Sequence, residues 1–239
     1  MNREKKPRLP RKSWLSVLVL LLLIPATLFL FSHGGGKRYY LVSLLIIVYT
    51  LVPFFLVFER RKPQARELVV LAVLCALAVV SRAVFVWLPS FKPMAAIVII
   101  TAVAFGGEAG FVCGAVSAFV SNFFFGQGPW TPWQMFAYGF AGFLTGVLFR
   151  LGAVKKDKLP LTVYGFLLTL ILIGPMLDTC TLLTMTSELT PAAAKTVYLA
   201  GLPMNAVHAV AVAAALFLLS QPLFEKLDRI RLKYGMLEF

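Results

Sequence analysis

Seven polar side chains are set among the apolar runs of this chain and are the ones equipped to do chemistry: Arg82, Asn122, Gln127, Gln134, Asp178, Asn205 and His208. Three indoles accompany them, at Trp87, Trp130 and Trp133. Asp178 and His208 are the one combination suited to acid–base work, and their wide separation makes them weak evidence for it. The densest grouping is the turn Phe125-Gly126-Gln127-Gly128-Pro129-Trp130-Thr131-Pro132-Trp133-Gln134. Pro129 and Pro132 lock φ there, while Gly126 and Gly128 allow unusual backbone angles, so the turn has a fixed shape. Two indoles and two carboxamides displayed on such a turn suit a ligand lid better than a flexible connector.

Other chemistries lack their residues. No G-x-x-x-x-G-K-[ST] loop is present for nucleotide hydrolysis, no H-E-x-x-H for zinc, and no G-x-S-x-G nucleophile elbow. His33 and His208 are the only histidines, too few for a typical metal cage. No chain of charges crosses the full thickness of the apolar segments, which argues against a proton-coupled pump. Binding without catalysis fits best, and no cofactor is expected in this chain.

The elements that position these residues follow from composition. The chain has 239 residues, 60% hydrophobic and 14% charged, with a mean hydropathy of +0.86. A soluble domain is nearer half apolar and a quarter charged, so an integral membrane protein is expected. The net charge of +13 does not mark a nucleic-acid binder, because the basic residues cluster between apolar runs, where membrane orientation explains them. Cys75, Cys113 and Cys180 each lie inside an apolar run without metal spacing and read as small packing residues. The basic stretch Met1 to Lys12 precedes an apolar run with no A-x-A site after it, which favours a retained signal-anchor helix over a cleaved signal.

The expected fold class is all-α, a polytopic membrane helix bundle. Eight spanning segments can be drawn: Trp14–Phe31, Tyr39–Phe58, Glu67–Leu88, Pro93–Phe105, Gly110–Phe125, Trp130–Phe149, Leu161–Met185 and Thr196–Phe224. The fourth and fifth are short and joined by a Gly-rich link, a pattern tolerated where other helices shield the ends and often found beside binding cavities. With the N-terminus cytoplasmic, only Lys37, Arg38, Arg82, Lys92 and Lys195 of the 23 basic residues fall on the outer half. That imbalance predicts both termini inside and the Gly/Pro/Trp turn outside.

This topology assigns depths. Arg82, Asn122, Gln134, Asp178 and Asn205 come from five helices to one outer level, with His208 one turn deeper. Polar groups in hydrocarbon are expensive, so a functional cavity is the default reading. Each residue also has a plainer one. Arg82 snorkels to headgroups or pairs with Asp178; Asn122, Asn205 and His208 act as interhelical glue; the indoles form an aromatic belt; Glu188 and Lys195 are solvated loop charges. Coincidence of depth and side favours the cavity. Small-xxx-small pairs occur at Ala72/Ala76, Gly110/Gly114 and Gly142/Gly146; the glycine pairs read as internal packing, while Ala72/Ala76 equally suits a partner-facing strip.

From Glu67 to about Gly235 the chain resembles the substrate-binding S component of energy-coupling factor (ECF) vitamin transporters. The resemblance rests on six segments with a short-helix pair, on Ala104-Phe105-Gly106-Gly107-Glu108-Ala109-Gly110-Phe111, and on Ser121-Asn122-Phe123-Phe124-Phe125 running into the turn that ends at Gln134. The turn looks like the subgroup linked to cobalamin-type uptake. The resemblance implies a six-helix substrate-binding core at 67–239, preceded at 1–66 by a basic tail and two extra transmembrane helices. It further implies a bacterial plasma-membrane subunit that captures a vitamin outside and docks on a membrane coupling subunit driven by two cytoplasmic ATPases, which use the ATP. The family's A-x-x-x-A docking strip matches Ala72 and Ala76. The alternatives are a membrane-embedded enzyme acting on a lipid-linked substrate through Asp178 and His208, and a stand-alone secondary transporter.

Overall fold

The computed structural model describes Leu45 and residues 65–128, 130–185 and 190–234. The expected segments Trp14–Phe31 and Tyr39–Phe58, the basic tail and Glu188 lie outside the described residues. The helices are α1 (Ala65–Ala83), α2 (Met94–Phe105), α3 (Gly107–Phe125), α4 (Trp130–Arg150), α5 (Lys158–Leu168), α6 (Gly174–Met185) and α7 (Pro191–Tyr234). A π-helical turn, Thr169–Ile173, joins α5 to α6 in one rod, so the described core is an all-α bundle of six rods, as expected. There is no strand among the described residues.

The centre of the bundle is α2. All twelve of its residues are buried and apolar except Thr101, whose hydroxyl donates to the Ile97 carbonyl at 2.8 Å and so needs no external partner. A helix apolar on every side belongs inside a bundle. Gly106, with φ of 90°, ends α2 and opens α3, a backbone that a residue with a Cβ rarely adopts. One glycine therefore makes the whole turn. That corrects the fifth segment, expected from Gly110: α3 starts at Gly107 and is long enough to cross a membrane.

Helices α3 and α4 run antiparallel in close backbone contact. A Cβ on Gly142 would stand 2.3 Å from the Gly110 carbonyl oxygen, and one on Gly114 would stand 2.3 Å from that of Tyr138. The two glycine pairs are thus internal packing, as the sequence suggests. Helix α1 buries Leu71, Leu74, Ala78 and Val79 and exposes Val69, Ala72, Val73, Ala76, Leu77 and Val80.

Two ends differ from expectation. The third segment, expected to reach Leu88, stops at Ala83, where Lys92 folds back to donate to the carbonyls of Phe85 and Leu88 and Ser90 takes φ of 58°. The last helix, expected to end at Phe224, continues to Tyr234. Its extra turns carry Asp228, which pairs with Lys156 at 2.5 Å and ties the α4–α5 loop to α7. By length and apolarity Gly107–Phe125, Lys158–Thr184 and Pro191–Tyr234 can each cross a membrane, and Met94–Phe105 is a shorter apolar helix.

Candidate functional site

Arg82, in the last turn of α1, organises the polar end of the bundle. Its Nη1 donates to Ser121 Oγ at 2.5 Å and to Asn122 Oδ1 at 2.9 Å, and its guanidinium stands 4.4 Å from the centre of the Phe125 ring. Because Arg82 can only donate, it fixes the Asn122 amide with the oxygen inward. Asn122 Nδ2 must then donate, to Thr131 Oγ1 at 3.1 Å and Gln134 Oε1 at 2.8 Å. Thr131 in turn donates to Gln127 Oε1 at 2.8 Å and accepts from the Gly128 N–H at 3.2 Å. Gln127 Nε2 closes onto the Phe119 carbonyl at 3.1 Å. The fixed geometry of the turn thus comes from one directed hydrogen-bond network reaching from α1 through α3 to α4.

A second network joins α6 and α7. Asn205 Nδ2 donates to Asp178 Oδ2 at 2.7 Å, beside Gly201, where any Cβ would collide with the carboxylate. A third contact, Tyr138 Oη to His208 Nε2 at 3.5 Å, joins α4 to α7. Since α4 and α7 run parallel, that contact places Gln134 and Asn205 each one turn further toward the same end. The five residues assigned to one level therefore share it, but as two separate networks rather than one ring. Among the described residues Arg82 has no carboxylate partner, so the plainer reading that pairs it with Asp178 does not hold. No described contact joins Asp178 to His208.

The indoles separate. Trp130 is exposed at the start of α4, with Nε1 donating to the Gly126 carbonyl at 3.3 Å, and Trp87 is exposed on the α1–α2 loop, donating to the Val84 carbonyl at 2.9 Å. Trp133 is only 4% exposed and sits in the core. This corrects the displayed lid of two indoles: α4 begins at Trp130, so Trp133 lies one helical turn on and faces inward. Lys92, Ser121, Thr131 and Phe125 join the site, although the sequence reading does not give them as ligand-site residues. Ser121 carries no signal beyond adjacency to Asn122 and Thr131 none beyond its place in the turn, while Lys92 is one of the few basic residues on the Arg82 side. Burial and the neighbouring Arg82 guanidinium pull the Lys92 ammonium below its ordinary value. Alongside lies an apolar groove of about 300 Å³, lined by Phe85, Phe91 and Ile97 on one wall and Ala211, Ala215 and Leu218 on the other. Among the described residues no cluster of His, Cys, Asp or Glu could hold a metal.

A helix bundle with membrane-length apolar rods and a polar network at one end is the architecture of a membrane-embedded protein. The model of the family described as ECF-type riboflavin transporter, S component matches residues 62–224, well over half of the chain, and the chain belongs to that family. It is an integral membrane protein, the substrate-binding subunit of a vitamin importer, and not an enzyme. The match is to the riboflavin type and lends no support to the cobalamin-type subgroup. No curated protein and no solved structure matches the chain.

Proposed function

We propose that this chain captures a riboflavin-type flavin at the end of the bundle formed by Arg82, Asn122, Gln127, Trp130 and Gln134, on the outer face of the membrane, and hands it on after docking. Trp87, Asp178, Asn205 and His208 flank that end, and Trp133 supports it from the core. The single observation carrying the reading is the directed network from Arg82 to Gln134, which holds polar groups at the rim of a bundle belonging to a vitamin-binding family. The partners are the ECF coupling subunit, meeting the exposed Ala72/Ala76 strip, and two cytoplasmic ATPases that supply the ATP-driven step.

The test is native mass spectrometry of protein purified in mild detergent, followed by titration with riboflavin. A retained flavin, or saturable quenching of its fluorescence at one site per chain, is the expected result. A different retained small molecule, together with no riboflavin binding, would overturn the assignment of the ligand.

A further inference from the structure

The polar network has a direction, and it ends in donors. Asn122 Oδ1, Gln134 Oε1, Gln127 Oε1 and Ser121 Oγ all accept hydrogen bonds within it. Arg82 uses only Nη1, leaving Nε and Nη2 without a described partner, and the Gln134 NH2 has none among the described residues. The groups left wholly unengaged at the rim are therefore donors, whereas each of these oxygens already holds a hydrogen bond. Charge points the same way. Arg82 and Lys92 flank one ring, that of Phe125, with their cationic centres 4.4 Å and 5.4 Å from its centroid. Lys92 donates to the Phe85 and Leu88 carbonyls, which use two of its three N–H donors and leave its charge uncompensated. Among the described residues neither cation has a carboxylate partner, while Asp178 is engaged by Asn205. Two partly buried cations of the same sign are costly without a counter-charge.

We infer that Arg82, Lys92 and the Gln134 amide form an anion-accepting subsite at the edge of the ligand site, taking a phosphate monoester or diester group. Such a group offers several acceptors to a guanidinium and an ammonium at once. The group comes either from the ligand itself, a flavin phosphate rather than a neutral flavin, or from a phospholipid headgroup at the membrane surface. The inference rests on the proposed site but not on its flavin preference.

Riboflavin and flavin mononucleotide would be titrated against the full chain in zwitterionic nanodiscs, with Arg82→Gln and Lys92→Gln alongside the parent, and native mass spectrometry would record phosphatidylglycerol retained from mixed nanodiscs. With the phosphate on the ligand, the mononucleotide binds at least about tenfold tighter than riboflavin, and the ratio falls toward one in both variants. With the phosphate on the lipid, the two flavins bind alike and the parent retains phosphatidylglycerol that both variants lose. If neither flavin binds but lipid retention still depends on Arg82 and Lys92, the flavin assignment fails and the subsite stands. Equal flavin affinities, or no flavin binding, with lipid retention the same in parent and variants would overturn the subsite. Lys92→Gln guards against loss of folding in the Arg82 variant, since Lys92 lies on a loop outside the packed helices.

Discussion

At the scale of single residues, Asn122 is the hinge of the polar end. It is fully buried and, among the described residues, is the only side chain to hydrogen-bond Arg82, Thr131 and Gln134 together. Asn122→Ala removes one acceptor and two donors at once and leaves buried polar partners unmatched, which costs about 1–3 kcal/mol. Thermal unfolding in detergent should show the loss, and a midpoint equal to the parent's would mean that water reaches these groups instead. The two indoles of the turn divide in the same way. Trp133→Ala opens a cavity in the core and should cost about 3–5 kcal/mol of stability. Trp130→Ala should leave the unfolding midpoint nearly unchanged while weakening ligand binding by about 1–3 kcal/mol, as loss of a stacked aromatic does. Equal effects of both changes on stability would contradict the inward placement of Trp133.

At the scale of elements, the tightest joint is α3 against α4. Gly142→Ala places a methyl 2.3 Å from the Gly110 carbonyl oxygen and 2.8 Å from Val98 Cγ1, with backbone on one side and the central helix on the other. Neither can give cheaply, so the expected cost is about 1–3 kcal/mol, read as a lowered unfolding midpoint and faster proteolysis of detergent-solubilised protein. A parent-like midpoint would show that the two helices slide apart freely. Elements of this kind were readable beforehand where one physical signal dominated. The apolar run around α2 and the G-x-x-x-G pairs announced burial and close approach, and the bundle class followed from composition. Boundaries were less readable, because they depend on capping and tertiary ties. Gly106 alone makes the α2–α3 turn, so Gly107 to Ala109, which look like linker, are helix. Charged residues after Phe224 suggest an end, yet α7 continues because Leu227 and Ile230 still pack against the core, with Asp228 paired to Lys156 beside them. At the site, the shared level was legible from where each polar residue falls in its apolar run, but partner choice was not: sequence offers Asp178 to Arg82, whereas packing gives Asp178 to Asn205.

At the scale of the whole molecule, the bundle separates its tasks by surface. The polar network occupies one end, whereas Ala72 and Ala76 lie along the side of α1, on a face that also shows Val69, Val73, Leu77 and Val80. The buried residues of α1, such as Leu71, Leu74 and Ala78, point the other way, so enlarging Ala72 or Ala76 meets no core atom. Small residues on an apolar helix face let a second helix come close, and leucines there would hold it off. The double change Ala72→Leu with Ala76→Leu should therefore abolish vitamin uptake in cells carrying the coupling subunit and its ATPases. The affinity of the purified variant for ligand should stay within about twofold of the parent's, because the strip is separated from Arg82 by at least one helical turn of α1. Pull-down of the coupling subunit reads the contact directly and should be lost in the double variant. Uptake at the parent's rate, with the coupling subunit still bound, would place the docking surface elsewhere on the bundle.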